Sequence, residues 1–189
     1  IPLVKKIKEM GHYVICTNLY ENSPAFEHAD KSFVMDILDI EKNFKIAKDY
    51  KVDGILSDQT DLAVKTVAII SERLDLNTVG IKAAELFTNK SLMRKRLQFP
   101  NLKHPKTLII KNKKDLKKIK NNFINYPFII KPISSQSSRG VSIVNNEKEL
   151  TEKYNIAKSY QANSFVIIEE YIGGIEITVE GIKTTALHK

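Results

Sequence analysis

The sequence predicts an α/β protein built in two parts, and two observations carry that prediction. Over roughly the first ninety residues, β-prone runs alternate with helix-spaced runs at short intervals, the mark of parallel βαβ packing with right-handed crossovers. From about residue 90 to 100 onward the pattern changes to strands joined through short loops, which reads as a separate α+β domain.

The elements follow in order. Residues 1–10 form a helix closed by Gly11, and the β-prone run HYVICT comes next. Residues 22–30 are expected to hold a short helix with Pro24 near its start, and 31–35 a second strand. Asp39 starts a helix that runs through Phe44, Ile46 and Ala47 to Tyr50. The compact run DGILS, 53–57, is expected to be a strand. Residues 62–74 give a clear helix, with Val64, Val67, Ala68, Ile70 and Leu74 on its apolar positions. Two short helices follow, KAAELF and NKSLMRKRL, with Asn89 as a cap between them. Strands are then expected at 106–110, 126–131, 141–144 and 165–170, with helices at 115–123 and 147–160. The run IEITVEG, 175–181, alternates as a half-exposed antiparallel strand does, and 184–188 is a candidate for another.

Composition bounds the function classes. Of 189 residues, 42% are hydrophobic and 28% charged, ordinary globular material with enough chain for one good core or two small ones. No apolar run approaches the roughly 20 residues needed to cross a bilayer, and IPLVKKIKEMG lacks the apolar segment of a signal peptide. The single cysteine, Cys16, lies in an apolar run, so a buried thiol is expected. That fits a reducing compartment and a cytoplasmic location. The net charge of +8 owes much to the block KNKKDLKKIK, 111–120. Leu116 and Ile119 there are spaced for one buried helix face, and no aromatic interleaves with the lysines. The block therefore reads as a solvated face rather than a nucleic-acid patch, and neither a nucleic-acid nor a membrane partner is expected.

Two stretches carry candidate chemistry. SDQTD, 57–61, lies where a strand end meets a helix start, the edge at which open α/β sheets bind ligands. Asp58, Gln59 and Asp61 are candidates to face a substrate; the plainer alternative is that Ser57, Thr60 or Asp61 caps the next helix. The second stretch, YPFIIKPISSQSSRGVSIV, 126–144, reads as a strand ending in Lys131, a loop of small polar residues, and a returning strand. Pro132 favours an extended path, and a strand-end lysine is well placed to meet phosphate oxygens. The loop from Ser134 to Gly140 offers backbone N–H groups, hydroxyls and a second cation, Arg139. Glu169 and Glu170 end a strand, Glu176 follows the Gly173–Gly174 turn, and Lys90 opens a helix. Each of these residues alone is ordinary; their order and spacing are not.

Taken together, these motifs resemble the ATP-grasp superfamily, in the branch of carbamoyl-phosphate synthase large-chain halves, biotin carboxylase and related carboxylate–amine ligases. DGILSDQTDLAVKTVAIISERL resembles the last strand and helix of the family's N-terminal domain. FTNKSLMRKRL and YPFIIKP resemble the segments carrying its two ATP-contacting lysines, SSQSSRGVSIV its phosphate loop, and FVIIEEYIGGIEITVEG its adenine hinge and ribose-binding acid. The resemblance implies a Rossmann-like preATP-grasp domain over 1–88, its first strand missing from the sequence, followed over 89–189 by an incomplete α+β ATP-grasp domain.

On the same basis, Lys90 and Lys131 would hold ATP phosphates. Ser135, Ser137, Ser138, Arg139, Gly140 and Val141 would close over them, with Arg139 near the terminal phosphate as the catalytic cation. Glu169, Glu170, Tyr171 and Ile172 would line the adenine site, and Glu176 would hold the ribose. The implied chemistry is ATP-dependent activation of a carboxylate as an acyl phosphate and its displacement by an amine, with magnesium (Mg2+) held by ligands expected beyond residue 189. Small-molecule carboxylate and amine substrates are the expected partners, and a homodimer is left open. The chain alone is expected to turn over little ATP. A non-catalytic nucleotide-binding relative, acting as sensor or scaffold, is the alternative.

Overall fold

The computed structural model describes residues 1–58, 60–98, 103–121, 125–134, 138–160 and 165–179. Helix α1, Pro2–Glu9, ends as expected at Gly11, whose φ of +84° suits the left-handed turn after a helix. The Gly11 N–H donates to the Lys8 carbonyl and the His12 N–H to the Ile7 carbonyl. Strands β1, Ile15–Asn18, and β2, Lys31–Val34, pair in parallel, with Ile15 opposite Lys31 and Asn18 opposite Val34. The crossover between them holds only a 3-10 turn, Phe26–His28, where the sequence pattern predicts a short helix. Cys16, expected to be buried, is half-buried.

Helix α2, Ile40–Asp49, starts on Asp39, whose carboxylate accepts from the Lys42 N–H. Helix α3, Asp61–Arg73, packs between α2 and α4, Ile81–Thr88, burying Ala63, Ala68 and Ile70. The expected strand at 53–57 is not one: the segment joins no sheet, and Leu56 points to solvent. A short β-prone run becomes a strand only when a neighbour accepts its hydrogen bonds, and none among the described residues does.

Helix α5, Lys90–Arg96, leads to a four-stranded antiparallel sheet in the order β3-β6-β4-β5. Its strands are β3, Thr107–Ile110; β4, Phe128–Pro132; β5, Ser142–Val144; and β6, Val166–Glu170. Helix α6, Glu147–Ser159, capped by Asn146, covers one face. Ile110, Phe128, Ile130, Val144, Val166 and Ile168 from the strands meet Tyr154 and Ala157 of α6 there, and Ile119 joins them. Ile119 belongs to a 3-10 segment, Lys113–Asn121, where an ordinary helix was expected over 115–123; residues 122 and 123 lie outside the described residues. The aliphatic positions of the lysine block thus serve the core, as their spacing predicts.

Residues 175–179 form no strand, contrary to the alternation. Ile175, Ile177 and Val179, the apolar face that the alternation defines, are all exposed, and among the described residues nothing covers them. Residues 180–189, including the candidate strand at 184–188, lie outside the described residues. Among the described residues no helix is long and apolar enough to cross a membrane.

Candidate functional site

Pairing in the sheet decides where the charged strand residues go. In β4, Phe128, Ile130 and Pro132 alternate into the core, which turns Ile129 and Lys131 to the other face. Antiparallel register puts Ile129 opposite Glu169 and Lys131 opposite Ile167. Lys131 and Glu169 are therefore diagonal neighbours on the face away from α6, within reach of long side chains. The Lys131 Nζ donates to Glu169 Oε2 at 2.5 Å.

Helix α5 supplies the third member. The Asn89 side chain accepts from the Ser91 and Leu92 N–H groups, fixing the helix start. The Lys90 N–H donates to the Ile133 carbonyl at 3.2 Å, which ties that start to the end of β4. Lys90 and Arg94, four apart, share a helix face. Arg94 grips Glu169 with a fork: Nε to Oε1 at 2.5 Å and Nη2 to Oε2 at 3.2 Å. Glu169 is only 4% exposed, so it is a buried carboxylate answered by two cations. Burial pushes its carboxyl up, but the hydrogen bonds from Arg94 and Lys131 outweigh that and hold it below the usual range.

In front of this triad opens a cavity of ≈ 290 Å³ lined by Asp61, Phe87, Thr88, Lys90, Met93, Arg94 and Lys131. Burial and the nearby Lys131 charge push the Lys90 ammonium down from its ordinary value; Asp61 and Glu169 pull the other way and lose. With three cations against Asp61 and the Glu169 behind them, the site carries a net positive charge, suited to an anion with several oxygens.

Of the other sequence candidates, Asp61 lines the cavity, while the cap of α3 is Thr60, whose hydroxyl accepts from the Leu62 N–H. The capping reading of SDQTD thus holds for Thr60. Asp58 is exposed and does not line the cavity; Gln59 lies outside the described residues. Ser135 and Ser137 also lie outside them, so the loop is described only from Ser138. Ser138 and Arg139 are exposed on a turn closed by the Val141 N–H donating to the Ser138 carbonyl, and neither lines the cavity. Val141 is exposed. Gly140 is buried with φ +73° against Pro132 and Tyr160.

Glu169 turns its carboxylate to Arg94 and Lys131. Glu170 turns the other way: its carboxylate accepts from the Lys106 N–H at 3.2 Å, and its own N–H donates to the Lys106 carbonyl. Tyr171, Ile172 and Glu176 are exposed on the segment after β6. Arg94 escaped the sequence reading. Its one signal was the four-residue step from Lys90, inside a run where Arg94, Lys95 and Arg96 look alike.

Comparison with known proteins bears on the chain and its fold. Residues 97–187 match the family described as D-ala D-ala ligase C-terminus. A formate-dependent phosphoribosylglycinamide formyltransferase of Prochlorococcus marinus subsp. pastoris is 31% identical over 97% of this chain and 48% of its own length. Among solved structures, N5-carboxyaminoimidazole synthetase from Staphylococcus aureus, complexed with ADP, matches with a TM-score of 0.73 at 20% identity, over 90% of this chain and 44% of that one. The biotin carboxylase domain dimer of Hydrogenobacter thermophilus 2-oxoglutarate carboxylase, in complex with MgADP, matches with a TM-score of 0.74 at 21% identity, over 90% and 41%. At these identities the two structures speak for the fold alone. The chain spans about half the length of the curated relatives it matches. Sheet, capped helix and comparisons agree: the chain is similar to the ATP-grasp carboxylate–amine ligases.

Proposed function

We propose that this chain is the nucleotide-binding portion of an ATP-dependent ligase that joins a carboxylate to an amine. The observation that carries the reading is the meeting of Lys90 and Lys131 on one cavity, brought there by the hydrogen bond between the α5 start and the end of β4. In this reading the two ammonium groups hold phosphate oxygens of ATP. The turn 138–141, with Ser135 and Ser137, closes over them, and Arg139 meets the terminal phosphate. The backbone of Glu170 to Ile172 lines the adenine, and Glu176 takes the ribose hydroxyls. The domain boundary falls between residues 88 and 89, where α4 gives way to the Asn89 cap.

The reaction has two displacements. A carboxylate oxygen attacks the γ-phosphorus, and the bond from that phosphorus to the ADP oxygen breaks, giving an acyl phosphate. The amine nitrogen then attacks the acyl carbon, the carbon–oxygen bond to phosphate breaks, and the nitrogen loses a proton. The protein's part is charge neutralisation and alignment. Mg2+ would accompany the nucleotide's phosphates and supply further charge neutralisation there. Small-molecule carboxylates and amines are the substrate class, and self-association as a dimer is part of the same proposal.

Calorimetric titration of the chain with MgATP tests the reading. Binding is expected, and Lys131→Ala should weaken it by the roughly 1.5–3 kcal/mol of a lost charged hydrogen bond. No binding by the unsubstituted chain, or unchanged affinity in Lys131→Ala, overturns it. Phosphate release in the presence of carboxylate and amine pools then separates a ligase from a nucleotide sensor.

A further inference from the structure

We propose that Arg94 is a positioning residue that acts through Glu169 to keep the Lys131 charge available to the ligand. The inference rests on the nucleotide-site reading above.

Charge and hydrogen bonds at the buried Glu169 carboxylate set what Arg94 does. Glu169 has two oxygens and 4% exposure, so water contributes little to its solvation. Arg94 occupies Oε1 with Nε, and shares Oε2 with Lys131 through Nη2. Two of the three charged hydrogen bonds on the carboxylate thus come from Arg94, in the planar fork that only an arginine presents. Without it, Lys131 would be the one hydrogen-bonded partner left to a buried negative charge, and its ammonium, already in contact with Oε2, would be committed to the carboxylate rather than to the cavity. With Arg94 in place the three groups sum to one positive charge, and the Lys131 ammonium remains on the cavity wall beside Lys90. Burial agrees with this division of labour: Lys131 is 16% exposed and Arg94 28%, while Glu169 lies behind both.

A double-mutant cycle on the full chain tests the route. Arg94→Met should weaken MgATP binding by about tenfold. In a Glu169→Gln background the same change should cost almost nothing, because the charge that Arg94 offsets is gone. Arg94→Lys, which keeps the charge but loses the fork, should fall between; it replaces Arg94→Met in the cycle if the latter does not fold. An equal loss in both backgrounds means that Arg94 touches the ligand itself, and overturns the proposal. A second readout needs no nucleotide: the rate at which acetic anhydride acetylates Lys131, followed by mass spectrometry. Arg94→Met should slow it and Glu169→Gln should restore it. If the unsubstituted chain binds no MgATP yet the acetylation rates follow this pattern, the nucleotide reading fails and the positioning role stands. Unchanged acetylation across the set overturns the positioning role whatever the chain binds.

Discussion

Lys131 of β4 and Glu169 of β6 form an ion pair at 2.5 Å on the sheet face opposite the α6-covered core, with Glu169 set one diagonal step from Lys131 by the antiparallel register. A pair in that position is fixed by the strands and not by a loop. It therefore couples the stability of the sheet to the charge state of the cavity.

The first consequence is an acid-sensitive fold. The Glu169 carboxyl is held below its ordinary value, so it stabilises the folded state above the unfolded carboxylate pKa of about 4.3. That contribution fades as pH falls through the lower, folded value. Glu169→Gln should therefore lose stability at pH 7, by about 1–3 kcal/mol since Arg94 and Lys131 retain some water. The difference from the unsubstituted chain should shrink below about pH 4. Urea unfolding at pH 7, 5 and 3 measures it; a difference that stays constant across the series would show that the carboxylate's charge is not what stabilises the sheet.

Lys90 gives the opposite sign. Burial and Lys131 push its ammonium below the ordinary lysine value, so it loses its proton earlier than a free lysine as pH rises. Anion binding at the cavity should then weaken on raising the pH through a range below the ordinary lysine value of about 10.4. Lys90→Arg, which stays charged, should remove that alkaline decline. Affinity for ATP measured between pH 7 and 10 in both proteins checks it; a decline that persists in Lys90→Arg assigns the titration to another group.

What the sequence makes legible follows from what is local. Asn89 and Thr60 announce helix starts because a cap is made within three residues of itself. The existence of β4 and β6 and the buried face of the lysine block are readable because apolarity and period suffice. The failures are non-local. DGILS and IEITV have strand composition, but a strand exists only through a partner that their own residues do not encode. The Glu169 carboxylate reads as solvated or adenine-facing from EEYI, because the cation that holds it, Arg94, is 75 residues away. The lysine pair of the cavity came from family pattern, and Arg94 came from neither.

Asn89 also has a measurable role at the site. Its side chain accepts two N–H groups at the start of α5, and the next residue, Lys90, donates its own N–H to Ile133. Asn89→Ala should cost about 1 kcal/mol of stability by losing the cap. It should also weaken ATP binding more than that loss predicts in a protein still fully folded, because the helix start carries Lys90. Asn89→Asp preserves the acceptor and should keep both. Chemical denaturation beside titration separates the effects; unchanged affinity in Asn89→Ala would mean that the Ile133 contact alone fixes Lys90.

Gly140 supplies the sharpest steric test. Its φ is +73°, and a Cβ built there would lie 2.8 Å from Tyr160 Cδ2 and 3.0 Å from Pro132 Cγ. Two costs add: the left-handed backbone, about 1 kcal/mol for a non-glycine residue, and the crowding of a packed site, about 1–3 kcal/mol. Gly140→Ala should therefore destabilise by a few kcal/mol and, because Pro132 follows Lys131, disturb the cavity as well. Adding Tyr160→Ala should not simply add its own cost, since it removes the nearer clash while leaving the backbone term. Gly54→Ala is the control, for nothing lies within 4 Å of its added Cβ and its φ is not left-handed. It should be close to neutral, or stabilise slightly by restricting the unfolded chain. Thermal unfolding of the unsubstituted chain, Gly140→Ala, Tyr160→Ala, the double variant and Gly54→Ala decides the matter: equal shifts for Gly140→Ala and Gly54→Ala would remove the claim that the turn after the serine loop is built on glycine.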